Sequence, residues 1–144
     1  SGRSWTPRVS SSTRRGAWRS SNPETGAARS LALKDLVKSL QAPGVRFVNL
    51  QYGDVSAEIE ALERDEGITV LQCPGLDTTD DLDGLAALIE ACDEVVSIGN
   101  ATAHLAGALG KNTTVLLPKA PSWRWLARDE RSLWYKSAII FNRL

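Results

Sequence analysis

No stretch of this 144-residue chain stays apolar for the roughly 18–20 residues that a bilayer-crossing helix requires, so no membrane span is expected. Its N-terminus has arginines but no apolar stretch behind them, so no secretory signal peptide is expected and the cytoplasm is the expected location. Cysteine is scarce: Cys73 and Cys92 stand outside any CxxC pair and cannot build a disulfide scaffold. Each lies in an apolar segment, where a small buried core residue is expected. Net charge is absent as well. Seventeen basic and seventeen acidic residues cancel, which argues against nucleic-acid binding through bulk positive charge. There is no internal repeat, and no GxSxG elbow to place a serine nucleophile. Histidine occurs once, as His104.

What remains is globular in composition, 42% hydrophobic and 24% charged, and of single-domain length. The charge balance conceals a split. Residues 1–30 hold six arginines against Glu24 alone, so the rest carries a net charge of −5. Residues 1–17 show neither helical nor strand periodicity and read as an irregular basic tail or a truncated first strand, ahead of a domain at 18–144. From Leu31 the chain becomes regular. Leu31, Leu33, Leu36, Val37 and Leu40 predict a helix stopped by Ala42-Pro43-Gly44, and Val45–Leu50 predicts a strand. Ser56 is placed to cap a helix reaching about Asp65, and Ile68–Leu71 predicts the next strand. A helix from Asp80 to Cys92 carries Leu82, Leu85, Leu88 and Ile89 on one face, its acidic first turn suited to the helix dipole. Strands at Glu94–Ile98 and Thr113–Leu117 flank a helix from about Ala101 to Leu109, and Ala138–Phe141 is a last short strand. Strands alternating with helices through short connections predict a Rossmann-like three-layer α/β domain with a mainly parallel sheet.

Open α/β sheets bind ligands beyond the carboxyl ends of their strands, which directs attention to the residues after Leu50, Leu71, Ile98 and Leu117. Gln51 follows the first of these, and Gly99-Asn-Ala-Thr-Ala-His104 follows the third. Asn100 is a good N-cap, and the helix after it is built from Ala101, Ala103, Ala106, Gly107 and Ala108. Such a helix can lie close to the sheet and offer its first-turn N–H groups to a phosphate, with the Thr102 hydroxyl beside them. A helix N-terminus disfavours imidazolium, so His104 reads either as a neutral ring hydrogen-bonded to substrate or as a ring packed on the sheet. The Asp77–Asp83 run has Leu82 where a calcium loop needs glycine, and helix capping accounts for it better. Trp125 is expected to pack on the core, while Trp123 is open to either packing or stacking on a ligand.

Trp18-Arg-Ser-Ser-Asn-Pro23, Arg29-Ser-Leu31, Gly44–Gln51, Asp80–Leu85, Ser97–Gly110 with its His104-Leu-Ala-Gly-Ala-Leu-Gly110, and Trp123-Arg-Trp-Leu126 together resemble a known family. They are similar to the C-terminal, nucleotide-sugar-binding domain of heptosyltransferase-like glycosyltransferases of the GT-B fold, in the version found behind tetratricopeptide repeats in bacteria. The resemblance implies that Asn100, Ala101, Thr102, Ala103 and His104 surround the donor diphosphate, with Arg29 directed at it and Gln51 near the nucleotide. It implies a nucleotide-diphosphate sugar as substrate, with no cofactor and no metal.

Two departures stand out. Asn100 occupies a turn where heptosyltransferases commonly place an aspartate, and Thr6–Ala17 is a poor match to the family's apolar first strand. The sheet is therefore expected to lack its middle strand or to be completed by another chain. The function implied is a donor-binding half of a glycosyltransferase, incomplete without an acceptor domain or a homo-oligomer partner. The alternative is a non-catalytic module that keeps the fold to bind a nucleotide or a protein.

Overall fold

The computed structural model describes residues 6–11, 33–51, 55–117, 123–125, 127–128 and 130–142. Among them the chain forms β1 (Thr6–Ser11), α1 (Leu33–Leu40), β2 (Val45–Asn49), α2 (Ser56–Glu66), β3 (Val70–Leu71), α3 (Leu82–Glu90), β4 (Glu94–Ile98), α4 (Ala101–Ala108) and β5 (Asn112–Leu117). A 3₁₀ turn (Trp123–Trp125) then leads to β6 (Ala127–Arg128), β7 (Arg131–Ser132) and β8 (Ala138–Asn142). The strands lie in one sheet in the order β3-β2-β1-β4-β5-β8-β7-β6. The first six are parallel, while β7 and β6 extend the β8 edge antiparallel. This is the α/β, mainly parallel architecture expected, and its first six strands follow the doubly wound order. No helix among the described residues is long and apolar enough to cross a membrane.

The expectation for the N-terminus requires correction. Residues 6–11 are not irregular: β1 is the middle strand, with Val9 opposite both Val48 of β2 and Val95 of β4. The sheet holds its centre within one chain. Apolar patterning missed this strand because a strand between two parallel neighbours is held by backbone hydrogen bonds, which any residue with an N–H can make. Pro7, which cannot donate, lies before the β4 pairing begins at Arg8, where only β2 runs alongside.

Two layers of helices close the core. On one face α1 and α2 pack Leu33, Val37, Val55, Ile59 and Leu62 against Phe47 and Val70. On the other, α3 and α4 pack Leu85, Ile89, Cys92 and Ala106 against Val48, Leu50 and Val95. Helix α2 starts one residue earlier than its capping serine suggests: Val55 is the N-cap, its carbonyl accepting from Glu58 and Ile59 N–H, so Ser56 is already helical. It ends at Gly67, whose left-handed φ of 66° lets its N–H reach the Glu63 carbonyl at 3.0 Å. The acidic run before α3 does cap: Asp81 accepts from Gly84 N–H at 2.8 Å and Asp77 from Thr79 N–H at 2.9 Å.

Two apolar residues fall elsewhere than expected. Leu82, assigned to the buried face of α3, is 63% exposed, because the first residue of that helix has already turned away from the sheet. Strand β3 is only two residues long, and Cys73 lies exposed in the loop beyond it. Cys92 is buried as expected; its thiol donates to the Leu88 carbonyl, and burial pushes its pKa up to about 11.

Candidate functional site

The strand order changes direction between β1 and β4: the chain winds outward from β1 through β2 to β3, and from β4 through β5 to β8. Ser11 of β1 stands opposite Ser97 of β4 at this switch, just before β4 ends at Ile98 and the chain turns into α4. The start of α4 therefore sits at the carboxyl side of the switch point, where open α/β sheets hold their ligands.

Asn100 caps this helix. Its Oδ1 accepts the Ala103 N–H at 3.0 Å, and its carbonyl accepts the His104 N–H at 3.2 Å. The buried Ser97 hydroxyl lies 3.0 Å from the same Oδ1 and 2.9 Å from the Ile98 carbonyl, and its single proton serves one of them at a time. The Asn100 oxygen is thus committed to the helix start, which leaves its amide N–H groups as the part able to meet a ligand. Two of the four first-turn backbone amides are likewise committed, and the geometry of a helix start leaves those of Ala101 and Thr102 without intrahelical acceptors.

The sequence-predicted residues separate into groups. Asn100, Ala101, Thr102, Ala103 and His104 share this one turn. Ala101 is exposed, but Thr102 is buried and the Ala103 methyl is fully enclosed, packed with Val115, Leu117, Trp125 and Ile140. A ligand would meet Ala103 through the backbone around it. Gln51 lies at the end of β2, on the far side of β1. It is buried, donates its N–H to Asn49 Oδ1 at 2.9 Å and accepts at its carbonyl from the Thr78 hydroxyl at 3.1 Å. Arg29 lies outside the described residues.

Among the described residues, the partner of the His104 ring is a side chain and not a backbone carbonyl. The ring stacks on Trp125, with ring centroids 4.2 Å apart and planes 22° apart, and meets Tyr135 edge-on at 5.7 Å. Its Nδ1 is 3.0 Å from the Tyr135 hydroxyl. Burial, and secondarily the positive charge of Arg124, lower its pKa below the usual histidine value, so the neutral ring is favoured. Trp125 is buried, as its packing role required. Trp134 is 58% exposed and does not pack on the core, and the Trp123 side chain is outside the described residues.

Tyr135 and Arg124 were missed in the sequence. A signal for closely packed rings existed in the two glycines that flank the site, Gly107 for Tyr135 and Gly99 for Trp125. A Cβ on Gly107 would stand 2.5 Å from Tyr135 Cγ, and one on Gly99 would stand 2.6 Å from Trp125 Nε1 and from Leu117 Cδ2. Glycine at both positions is thus a matter of space, because an aromatic ring lies directly over each.

No family model matches the chain. Protein FlbA of Caulobacter vibrioides is 44% identical over 102 residues, which is 71% of this chain and 17% of that protein. The chain therefore spans about a sixth of the length of this curated relative. Among solved structures, the E. coli heptosyltransferase WaaC, determined with ADP-2-deoxy-2-fluoro heptose, superposes with a TM-score of 0.58 over 95% of this chain and 36% of that one, at 17% identity. The chain thus has the fold of part of a GT-B glycosyltransferase.

Proposed function

We propose that this domain binds the diphosphate of a nucleotide sugar at the first turn of α4 and serves as the donor-binding half of a glycosyltransferase. The observation that carries this reading is the position of α4, which opens at the switch between β1 and β4 with a side-chain cap and a neutral histidine in its first turn. Partial positive charge at the helix N-terminus and two amides free of intrahelical acceptors suit an anionic group. The nucleotide sugar in the similarly folded heptosyltransferase supports the choice of ligand. Arg29 is proposed to add charge to the same phosphates, and Gln51 to contact the nucleotide from the β2 side. In transfer, this half would stabilise the negative charge that develops on the leaving diphosphate, an electrostatic contribution, while an acceptor domain would supply the base. No metal or cofactor is invoked. If the chain instead serves as a non-catalytic module, the same turn remains its binding site.

Calorimetry with adenosine, uridine and guanosine diphosphates tests the reading. Ala101→Asp is the informative variant, because Ala101 is exposed and acids are tolerated at a helix start, so the fold should survive. Two like unit charges 4 Å apart repel by about 4 kcal/mol at an effective dielectric constant of about 20, so a loss of roughly tenfold or more is expected even after solvent screening. Arg29→Ala should cost about 1.5–3 kcal/mol, the value of a hydrogen bond to a charged group. Undiminished binding in both variants would move the site elsewhere. Failure of the unmodified chain to bind any of the three would remove the nucleotide from the reading and leave a protein-binding module.

A further inference from the structure

Tyr135 reaches α4 from the connection between β7 and β8, and its position is set without help from His104. Strand β7 joins β8 through Arg131 and Ile139, and the buried Ser132 at its end accepts the N–H groups of Trp134 and Tyr135, each at 3.2 Å. The Tyr135 carbonyl in turn accepts the Ala138 N–H at 3.0 Å, where β8 begins. The ring then rests in the space that Gly107 leaves open. Backbone, cap and glycine thus deliver one phenol hydroxyl to one imidazole nitrogen, Nδ1, at 3.0 Å.

The roles of the two ring nitrogens are linked. In a neutral imidazole one nitrogen donates and the other accepts, so whatever bonds to Nδ1 decides what Nε2 can do. A phenol, with a pKa near 10, is a good donor, and an unprotonated imidazole nitrogen is a good acceptor. Burial, and after it the charge of Arg124, favour the neutral ring, which preserves that acceptor. We propose that Tyr135 is a positioning residue: its hydroxyl donates to Nδ1 of His104, which places the ring proton on Nε2 and adds a side-chain N–H donor to the first turn of α4. This rests on the reading of that turn as a diphosphate site, where the amides of Ala103 and His104 are already committed to Asn100 and a further donor counts. Stacking on Trp125 fixes the plane in which the ring presents it.

His104 is the only histidine, so its ring nitrogens can be followed by ¹⁵N NMR in the whole chain without ambiguity. In the ligand-free protein above pH 7, well-separated shifts are expected, with Nδ1 as the unprotonated nitrogen. Tyr135→Phe keeps the ring over Gly107 and removes only the hydroxyl. It should collapse the two shifts toward a tautomer mixture and weaken nucleoside diphosphate binding about twofold, because the ligand then draws on the roughly half of the rings that carry the proton on Nε2. A proton on Nδ1 in the unmodified chain, or identical shifts in the variant, overturns the proposal. Equal nucleotide affinity of variant and parent overturns the part of it that concerns binding. If the parent binds no nucleoside diphosphate, the diphosphate reading fails by itself, and the shifts of the free chain alone decide whether Tyr135 sets the histidine.

Discussion

The two ends of the sheet are packed by different means. At the β2–β3 end, α1 and α2 lay Leu33, Val37, Ile59 and Leu62 onto Phe47 and Val70, a core of branched side chains. At the β5–β8 end, α4 offers Ala103 and Gly107 where larger residues would be usual, and the volume is filled instead by Trp125, Tyr135 and His104. The first arrangement gains stability from apolar area alone. The second gives up side-chain area on the helix so that aromatic rings can approach it, and it places a titratable ring at a helix start. The candidate site lies at the end that packs by close approach, where a displaced ring alters the chemistry as well as the volume.

Variants at the two ends should separate these roles. The largest effect on stability is expected from Leu62→Ala in α2, which removes a side chain only 3% exposed and should cost about 2–5 kcal/mol for a buried leucine, while leaving nucleotide affinity unchanged. Denaturant unfolding beside calorimetry checks both halves of that expectation, and a fall in affinity would show the two ends to be coupled. Gly107→Ala should do less to stability and more to the site. Overpacking against Tyr135 costs about 1–3 kcal/mol, of which the better helix propensity of alanine returns up to about 1 kcal/mol. Displacement of Tyr135 should also shift the His104 ring nitrogens as Tyr135→Phe does. A variant more stable than its parent, with those shifts intact, would mean that the ring yields without consequence.

The smallest effect is a matter of pH. The folded-state pKa of His104 lies below its unfolded value of about 6.5, so as pH falls through that value the unfolded chain takes up a proton that the folded chain does not. Stability present above pH 6.5 is therefore lost on acidification and levels off below the folded pKa, with the charge of Arg124 facing the ring throughout. Unfolding free energies compared at pH 7.5 and 5.5 should fall more in the parent than in His104→Gln. Equal differences would show that the ring is protonated as readily in the folded protein as in the unfolded one.

Much of the architecture follows from the sequence by itself, because it rests on local rules. The periodicity of α1 and α3, the apolar runs of β4 and β5, the cap at Asn100 and the carboxylate of Asp81 before α3 each express an interaction between residues at most a few positions apart. The mainly parallel, layered class follows in turn from the alternation of strands with helices through short connections. Only the tertiary structure decided the rest. Thr6–Ser11 carries no apolar signal, and its place at the centre of the sheet comes from backbone pairing with strands 39 or more positions away. Leu82 and Trp134 are exposed and Ala103 is enclosed, since burial depends on what another element brings to that point. The partner of His104 stands 31 positions along the chain, and it reaches the ring because β8 brings the chain back beside β5 and because Gly107 leaves a Cβ out of its way. Local chemistry thus marked the turn where a ligand would sit, and long-range contacts set the state of the one side chain there that can take up a proton.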